Sequence, residues 1–206
     1  MPGVLFEGGS FRAIFSCGVM DALLDQDVMF PYCIGVSAGA ADSASYISRQ
    51  KERNLNMLLR YRNDKRYMGL RNYFKKEHSL FGVDFVFRKM PNVLFPFDMD
   101  TFQNYAGDYV VVTTDANTGK PHYFHKEDVD DRFDVICASC ALPVYFQAVH
   151  IGGGAYYDGG VSDPVPIRRL QRDGHHKALI VLTRPEGYRK ACGRSDRFAA
   201  GVLRRR

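Results

Sequence analysis

Tyr32-Cys33-Ile34-Gly35-Val36-Ser37-Ala38-Gly39-Ala40 takes an apolar run to a serine flanked by glycines, then into small, helix-compatible residues. A serine that projects its Oγ above the end of a strand needs a sharp strand-to-helix turn. The residues two before and two after it must be small enough for strand and helix to approach. Gly35 and Gly39 meet that need. A helix starting at Ala38 would also aim its unpaired N–H groups and positive dipole end at the serine, where an alkoxide and a tetrahedral oxyanion develop. The stretch therefore reads as a nucleophile elbow. A Gly-x-Ser-x-Gly string arises by chance in roughly 5–10% of chains this long, so the reading rests on its context.

Upstream, Val4 to Phe6 is a short apolar run ending in Glu7-Gly8-Gly9-Ser10-Phe11-Arg12. Ile14, Phe15, Gly18, Val19, Ala22 and Leu23 then recur at helical spacing through Asp25. Strand, glycine loop and helix in succession make an anion site, because the loop presents backbone N–H groups at a helix N-terminus. A Walker loop would close with Gly-Lys-Ser/Thr and a dinucleotide fingerprint would carry a third glycine at its own offset; both are missing. An oxyanion hole remains. Tyr32 to Val36 and Ala38 to about Gln50 repeat the strand-to-helix pattern. Two such units predict a single α/β domain with a mostly parallel sheet between helical layers, its ligands gathered at the strands' carboxyl ends.

The 206 residues, 46% hydrophobic and 25% charged, suit one ordinary globular domain. No apolar run approaches the roughly 20 residues needed to span a bilayer, and Met1-Pro2-Gly3-Val4 lacks a basic lead into a long apolar stretch, so a cytoplasmic protein is expected. The odd set of cysteines, Cys17, Cys33, Cys137, Cys140 and Cys192, argues against a disulfide framework. Cys137-Ala-Ser-Cys140 has redox or zinc spacing without a second pair, and buried structural thiols are the simpler reading. The net charge of +5 favours anionic partners such as phospholipid head groups. No zinc-finger or RNA-binding sheet pattern points to nucleic acid.

Arg49 to about Lys76 is basic with interleaved tyrosines and phenylalanine, which suits either peripheral contact with an anionic membrane surface or a solvated helix face. Leu80 to Phe97, apolar and broken by Pro91 and Pro96, is either a lid, a wall for an acyl chain or a connector. Tyr109 to Thr114 and His122 to Phe124 flank the turn Asp115-Ala-Asn-Thr-Gly119-Lys120 and predict a hairpin. Asp128 to Ser139 reads as helix. A second glycine cluster, Gly152-Gly-Gly-Ala-Tyr-Tyr-Asp158-Gly159-Gly160, carries an acid. Lys177 to Thr183 is the last clear strand, and the rest is a basic tail without a core pattern.

Serine at its free pKa is a weak nucleophile and needs a base within hydrogen-bond reach. Asp158 fits that role, since Gly159 and Gly160 let it face a neighbouring loop unobstructed. The alternative is a Ser-Asp-His triad, for which His175 or His176 would have to leave the polar segment Arg172 to Lys177.

The ordered set Glu7-Gly-Gly-Ser-Phe-Arg12, Gly35-Val-Ser-Ala-Gly39, Ala138-Ser-Cys-Ala-Leu-Pro143 and Asp158-Gly-Gly160 resembles the patatin-like phospholipase family, particularly its bacterial members, from Val4 to about Arg189. The resemblance implies a three-layer α/β sandwich and a lipid acyl hydrolase that needs no cofactor or metal. Ser37 would be the acylated nucleophile and Asp158 its base. Backbone N–H groups around Gly8, Gly9 and Ser10 would form the oxyanion hole, with Arg12 matching the basic residue that ends the family's loop. Ser10 stands where the family's loop has a third glycine, at a cost of about 1–2 kcal/mol if the backbone there is left-handed. Family members also continue further, which implies a truncated form with the hydrolase domain over 1–190 and a basic tail over 191–206. Two rivals carry other expectations: a silent lipid- or anion-binding domain, and a Ser-His-Asp esterase.

Overall fold

A computed structural model describes residues 1–74 and 79–189. The expected tail over 191–206 and Cys192 lie outside the described residues. The strand β1 (Gly3–Phe6) leads through a 3-10 turn (Ser10–Ala13) into helix α1 (Ile14–Asp25). The strand β2 (Tyr32–Val36) is separated from α2 (Ala38–Ile47) by Ser37 alone. An excursion follows: α3 (Arg53–Tyr61), the short α4 (Leu70–Tyr73), a π-helical segment (Phe85–Leu94) and α5 (Met99–Gln103). The chain returns as β3 (Asp108–Asp115) and β4 (Pro121–His125), the expected hairpin, then α6 (Asp134–Cys140). A second hairpin, β5 (Val149–Ile151) and β6 (Gly154–Asp158), precedes α7 (Ile167–Arg172) and β7 (Ala178–Val181).

The sheet runs β5-β6-β3-β2-β1-β7, with β4 also paired to β3. Strands β7, β1, β2 and β3 are parallel, and the antiparallel pairings all lie at the β3 side. Side chains of successive residues leave opposite faces. Val4, Phe6, Cys33, Tyr109 and Val111 pack with Ala40 and Ala44 of α2 and Ile136 and Ala138 of α6. Leu5, Ile34, Val36, Val110 and Val112 pack on the other face with Leu170 of α7. Both faces are covered, which is why these strands are apolar throughout instead of alternating. Burying each such side chain contributes about 1.5–3 kcal/mol, so the sheet centre holds the fold together.

Two elements depart from the sequence reading. The helix expected from Asp128 begins only at Asp134. Asp130 diverts the chain first: its Oδ1 accepts the Arg132 N–H at 3.0 Å and its carbonyl the Phe133 N–H at 3.0 Å. Such local bonds compete with helix. The second glycine cluster is also not one loop. Gly152 and Gly153, at φ 55° and 83°, turn the β5-β6 hairpin, and Gly154 onward is strand, with Tyr156 and Tyr157 buried. Cys33 and Cys137 are buried, as expected.

The approach of β1 to α2 is as close as backbone permits. A Cβ on Gly39 would lie 2.4 Å from the Phe6 carbonyl oxygen, whereas one on Gly18, within α1, would meet nothing within 4 Å. In chemical denaturation, Gly39→Ala is expected to lose at least about 2 kcal/mol. Gly18→Ala should gain about 0.5–1 kcal/mol from reduced unfolded-state freedom.

Candidate active site

The register on β3 decides what meets at the sheet's carboxyl edge. Strand β2 pairs with β3 as far as Val36 opposite Val112, and β6 pairs with the next residues, Asp158 opposite Thr113. Strand β4 occupies the other edge of β3 over Val110 to Thr114. So β6 continues along the edge that β2 has just left, running in the opposite direction. The ends of the two strands face each other. Ser37, the residue after β2, donates its hydroxyl to Asp158 Oδ2 at 2.6 Å, across 121 residues of chain.

Ser37 adopts φ 56° and ψ −127°, a strained turn that costs on the order of 1–3 kcal/mol and persists because its surroundings hold it. A Cβ on Gly35 would sit 2.5 Å from Ala40 Cα, and one on Gly8 would sit 2.8 Å from Ser37 Cβ. Gly35 in the elbow and Gly8 in the glycine loop are therefore required by contact, as Gly39 is against Phe6. The Ser37 N–H is fixed by a residue the sequence reading did not assign. It donates to Ser139 Oγ at 2.9 Å, while the Ser139 hydroxyl donates to the Val112 carbonyl at 2.7 Å. Ser139 is fully buried in α6. The signal for it was the Ala138 to Pro143 motif, which was legible as a resemblance without a role.

Asp158 is 2% exposed. Burial pushes its carboxyl up to about 6, against the lowering pull of the Ser37 hydroxyl and the Gly160 N–H. The Gly160 N–H donates to Oδ1 at 2.7 Å, so one carboxylate oxygen is held by the backbone and the other faces Ser37. The turn needs glycine for a different reason from the one sequence suggests. A Cβ on Gly159 would lie 2.2 Å from the Val112 carbonyl oxygen. Thr114 Oγ1 donates to the Asp158 carbonyl at 2.8 Å, tying the acid back to β3.

The glycine loop reaches the same edge. Glu7 Oε2 accepts the Thr183 N–H at 2.6 Å, and Thr183 Oγ1 lies 2.8 Å from the Gly8 carbonyl. These bonds anchor the loop to the segment after β7. The N–H groups of Gly8, Gly9 and Ser10 donate to no acceptor among the described residues. Ser10 sits at φ 51°, left-handed without being glycine, so the strain foreseen for it is present, of order 1–2 kcal/mol. Arg12 stands apart: its N–H is committed to the Gly9 carbonyl at 3.1 Å and its side chain is exposed.

Beside Ser37 a cavity of about 150 Å³ runs between α1, α2, α3 and the π-helical segment, lined by Ile14, Met57, Phe81, Val86, Phe87 and Phe146 among others. The segment read as lid, wall or connector thus supplies a wall. Cys140, also lining the cavity, is a neutral thiol held well above its usual range by burial and by Asp158. His175 is placed elsewhere. It stacks on Tyr32, at the start of β2, with ring centroids 4.3 Å apart, and its Nδ1 lies 2.9 Å from the Met1 carbonyl. Ser37 follows the opposite end of that strand. His176 is exposed in the same loop. Neither completes a triad with Ser37 and Asp158.

The buried carboxyl has a consequence for stability. Its folded pKa lies above its unfolded value of 3.8. The stability it provides is therefore complete below about pH 4 and is lost as pH rises through about 6, a change of about 3 kcal/mol. Asp158→Asn, which cannot ionise, is expected to be the more stable protein at pH 8 by up to that amount, and to match wild type near pH 3.5. Urea denaturation at the two pH values measures the difference.

Comparison with known proteins agrees with this architecture. The chain is 29% identical over 186 residues to the uncharacterized protein YjjU of Escherichia coli (strain K12), a match covering 87% of this chain and 51% of that protein. The chain spans about half the length of that curated relative. The family model for patatin-like phospholipase matches residues 4–170, a span that holds β1, the glycine loop, the elbow and Asp158 alike, and the chain belongs to the patatin-like phospholipase family.

Proposed function

We propose that the protein is a lipid acyl hydrolase that cleaves carboxylic ester bonds of phospholipids or related acyl lipids through Ser37 and Asp158. The observation that carries the reading is the 2.6 Å hydrogen bond from Ser37 Oγ to Asp158 Oδ2 on a strained elbow. Asp158 takes the serine proton as Oγ attacks the ester carbonyl. The free N–H groups of Gly8, Gly9 and Ser10 stabilise the oxyanion. The leaving alcohol departs with the proton from Asp158, and an acyl chain remains on Ser37. Water then gives its proton to Asp158 and attacks the acyl-enzyme. The fatty acid leaves as Ser37 regains its proton.

Because Asp158 must be ionised to accept a proton, activity rises with pH through about 6 and falls about tenfold per unit below it. The expected result is a kcat/KM profile for a short-chain nitrophenyl ester with one acid limb near pH 6. Ser37→Ala should abolish fluorophosphonate labelling, and Asp158→Asn should lower turnover at least about 100-fold. Folded wild-type protein that neither labels nor turns over the ester, yet binds lipid, would select the silent binding domain.

The proposal extends to a membrane surface as the place where substrate is met. Phe11, Ile14 and Leu142 line the cavity and are also exposed, and Phe15, Val144 and Tyr145 adjoin them in sequence and are exposed. Arg60 and Arg62, exposed at the end of α3, follow the cavity-lining Met57 and Leu58. An apolar rim beside basic residues suits an anionic bilayer. Phe15→Asp should weaken co-sedimentation with phosphatidylglycerol vesicles at least about fivefold. High salt should weaken binding of both proteins.

A further inference from the structure

The cavity beside Ser37 has an apolar lining, with one carboxylic acid in it that the hydrolytic chemistry does not use. Ala38, Ala41 and Asp42 of α2 line it together with Ser37, because residues one, four and five positions on lie on one helix face. The carboxyl of Asp42 therefore sits along the path of a chain leaving the ester carbonyl, about 7–8 Å down the helix axis from Ser37, roughly six carbons of an extended alkyl chain.

The protein offers this carboxyl little. No arginine or lysine among the described residues comes within ion-pair distance of it. Arg53 on α3 is the neighbouring cation, but its terminal nitrogens donate to Ser45 Oγ at 3.0 Å and to the Phe95 carbonyl at 2.7 Å. Asn54 donates to the Asp42 main-chain carbonyl at 2.9 Å and leaves the side chain alone. The thiol of Cys17, from α1, donates a hydrogen bond to the carboxyl, the Arg53 guanidinium acts on it through charge, and the remaining titratable groups around it are Tyr67, Cys140 and Tyr109. A thiol is a weak donor. An acid in an apolar cavity with so little compensation costs stability unless a ligand completes its hydrogen bonds.

We propose that Asp42 makes the cavity selective for acyl esters whose chain carries a neutral hydrogen-bonding oxygen, a hydroxyl above all, about six carbons from the carbonyl, an inference that rests on the hydrolase reading. Burial pushes the Asp42 carboxyl up to about 7. It is thus present near neutrality both as donor and as acceptor. A hydroxyl group satisfies either form, whereas a fixed cation satisfies only one. A site built to bond a hydroxyl rejects the chain that lacks it, because its own polar group is then left unpaired.

The test compares nitrophenyl decanoate with the same ester bearing a hydroxyl near its sixth carbon, in wild type, Asp42→Leu and Asp42→Asn, each shown to be folded by near-ultraviolet circular dichroism. The ratio of kcat/KM values for the two esters is expected to fall at least about tenfold in Asp42→Leu. Asp42→Asn, which keeps a donor and an acceptor, should retain most of the preference. A merely structural role would lower both rates and leave the ratio alone. A wild-type ratio at or below one, unchanged in Asp42→Leu, overturns the proposal. Nitrophenyl acetate, whose acyl group ends far short of Asp42, reports separately whether the protein is a hydrolase. Should wild type fail on acetate, calorimetric titration of Ser37→Ala and of Ser37→Ala with Asp42→Leu with the two long esters decides: tighter binding of the hydroxylated ester that needs Asp42 supports the assignment, and equal binding overturns it.

Discussion

One edge of β3 carries two partners in sequence, and the site depends on that arrangement. Strand β2 holds the edge to Val112 and β6 takes it from Thr113, so two strands of opposite direction end against each other with Ser37 and Asp158 at the junction. A parallel sheet alone would collect loops at its carboxyl edge without fixing any pair of side chains to hydrogen-bond distance. The antiparallel β6 does so, because its last residue, Asp158, pairs with Thr113, the residue of β3 next after the end of the β2 pairing. The approach of Gly159 to Val112 follows from it, and the contacts of Gly8 with Ser37 and of Gly35 with Ala40 crowd the same junction.

The same crowding explains where strain is stored. Ser37 and Ser10 both hold positive φ, one at the elbow and the other in the glycine loop beside it. Each costs energy that the packed sheet must offset. Asp158 adds the cost of a carboxyl taken out of water, relieved by one backbone N–H and one hydroxyl. Such costs are tolerated where they prepare groups for chemistry, and here they gather within one junction.

Asp42 belongs to a second kind of cost. It lies in the cavity and not in the junction. Its neighbours in the lining, Ile14, Met57 and Val86, are apolar. The two carboxyls divide the work of the site as it is proposed here: Asp158 faces the bond to be broken, and Asp42 faces the chain that is held.

Much of this was legible in the chain. The glycine loop, the elbow glycines and the two strand-to-helix units follow from local rules: only small residues fit a sharp turn, and apolar runs between helices declare a covered parallel sheet. The order of motifs was enough to suggest the family. The chain alone also placed Ser37 and Asp158 as partners by resemblance, though 121 residues separate them. What local rules could not supply was anything that depends on register or on the far side of a contact. The antiparallel β6 was hidden within a glycine-rich run, because a five-residue strand carries too little pattern to stand out. Ser139 gave no signal of its own, since its hydroxyl bridges the Ser37 N–H and the Val112 carbonyl across three separate elements. Asp42 read as one polar residue in a helix of small ones. Its meaning comes from the cavity that α1, α3 and the π-helical segment close around it, and a cavity is a property of packing that no stretch of sequence contains.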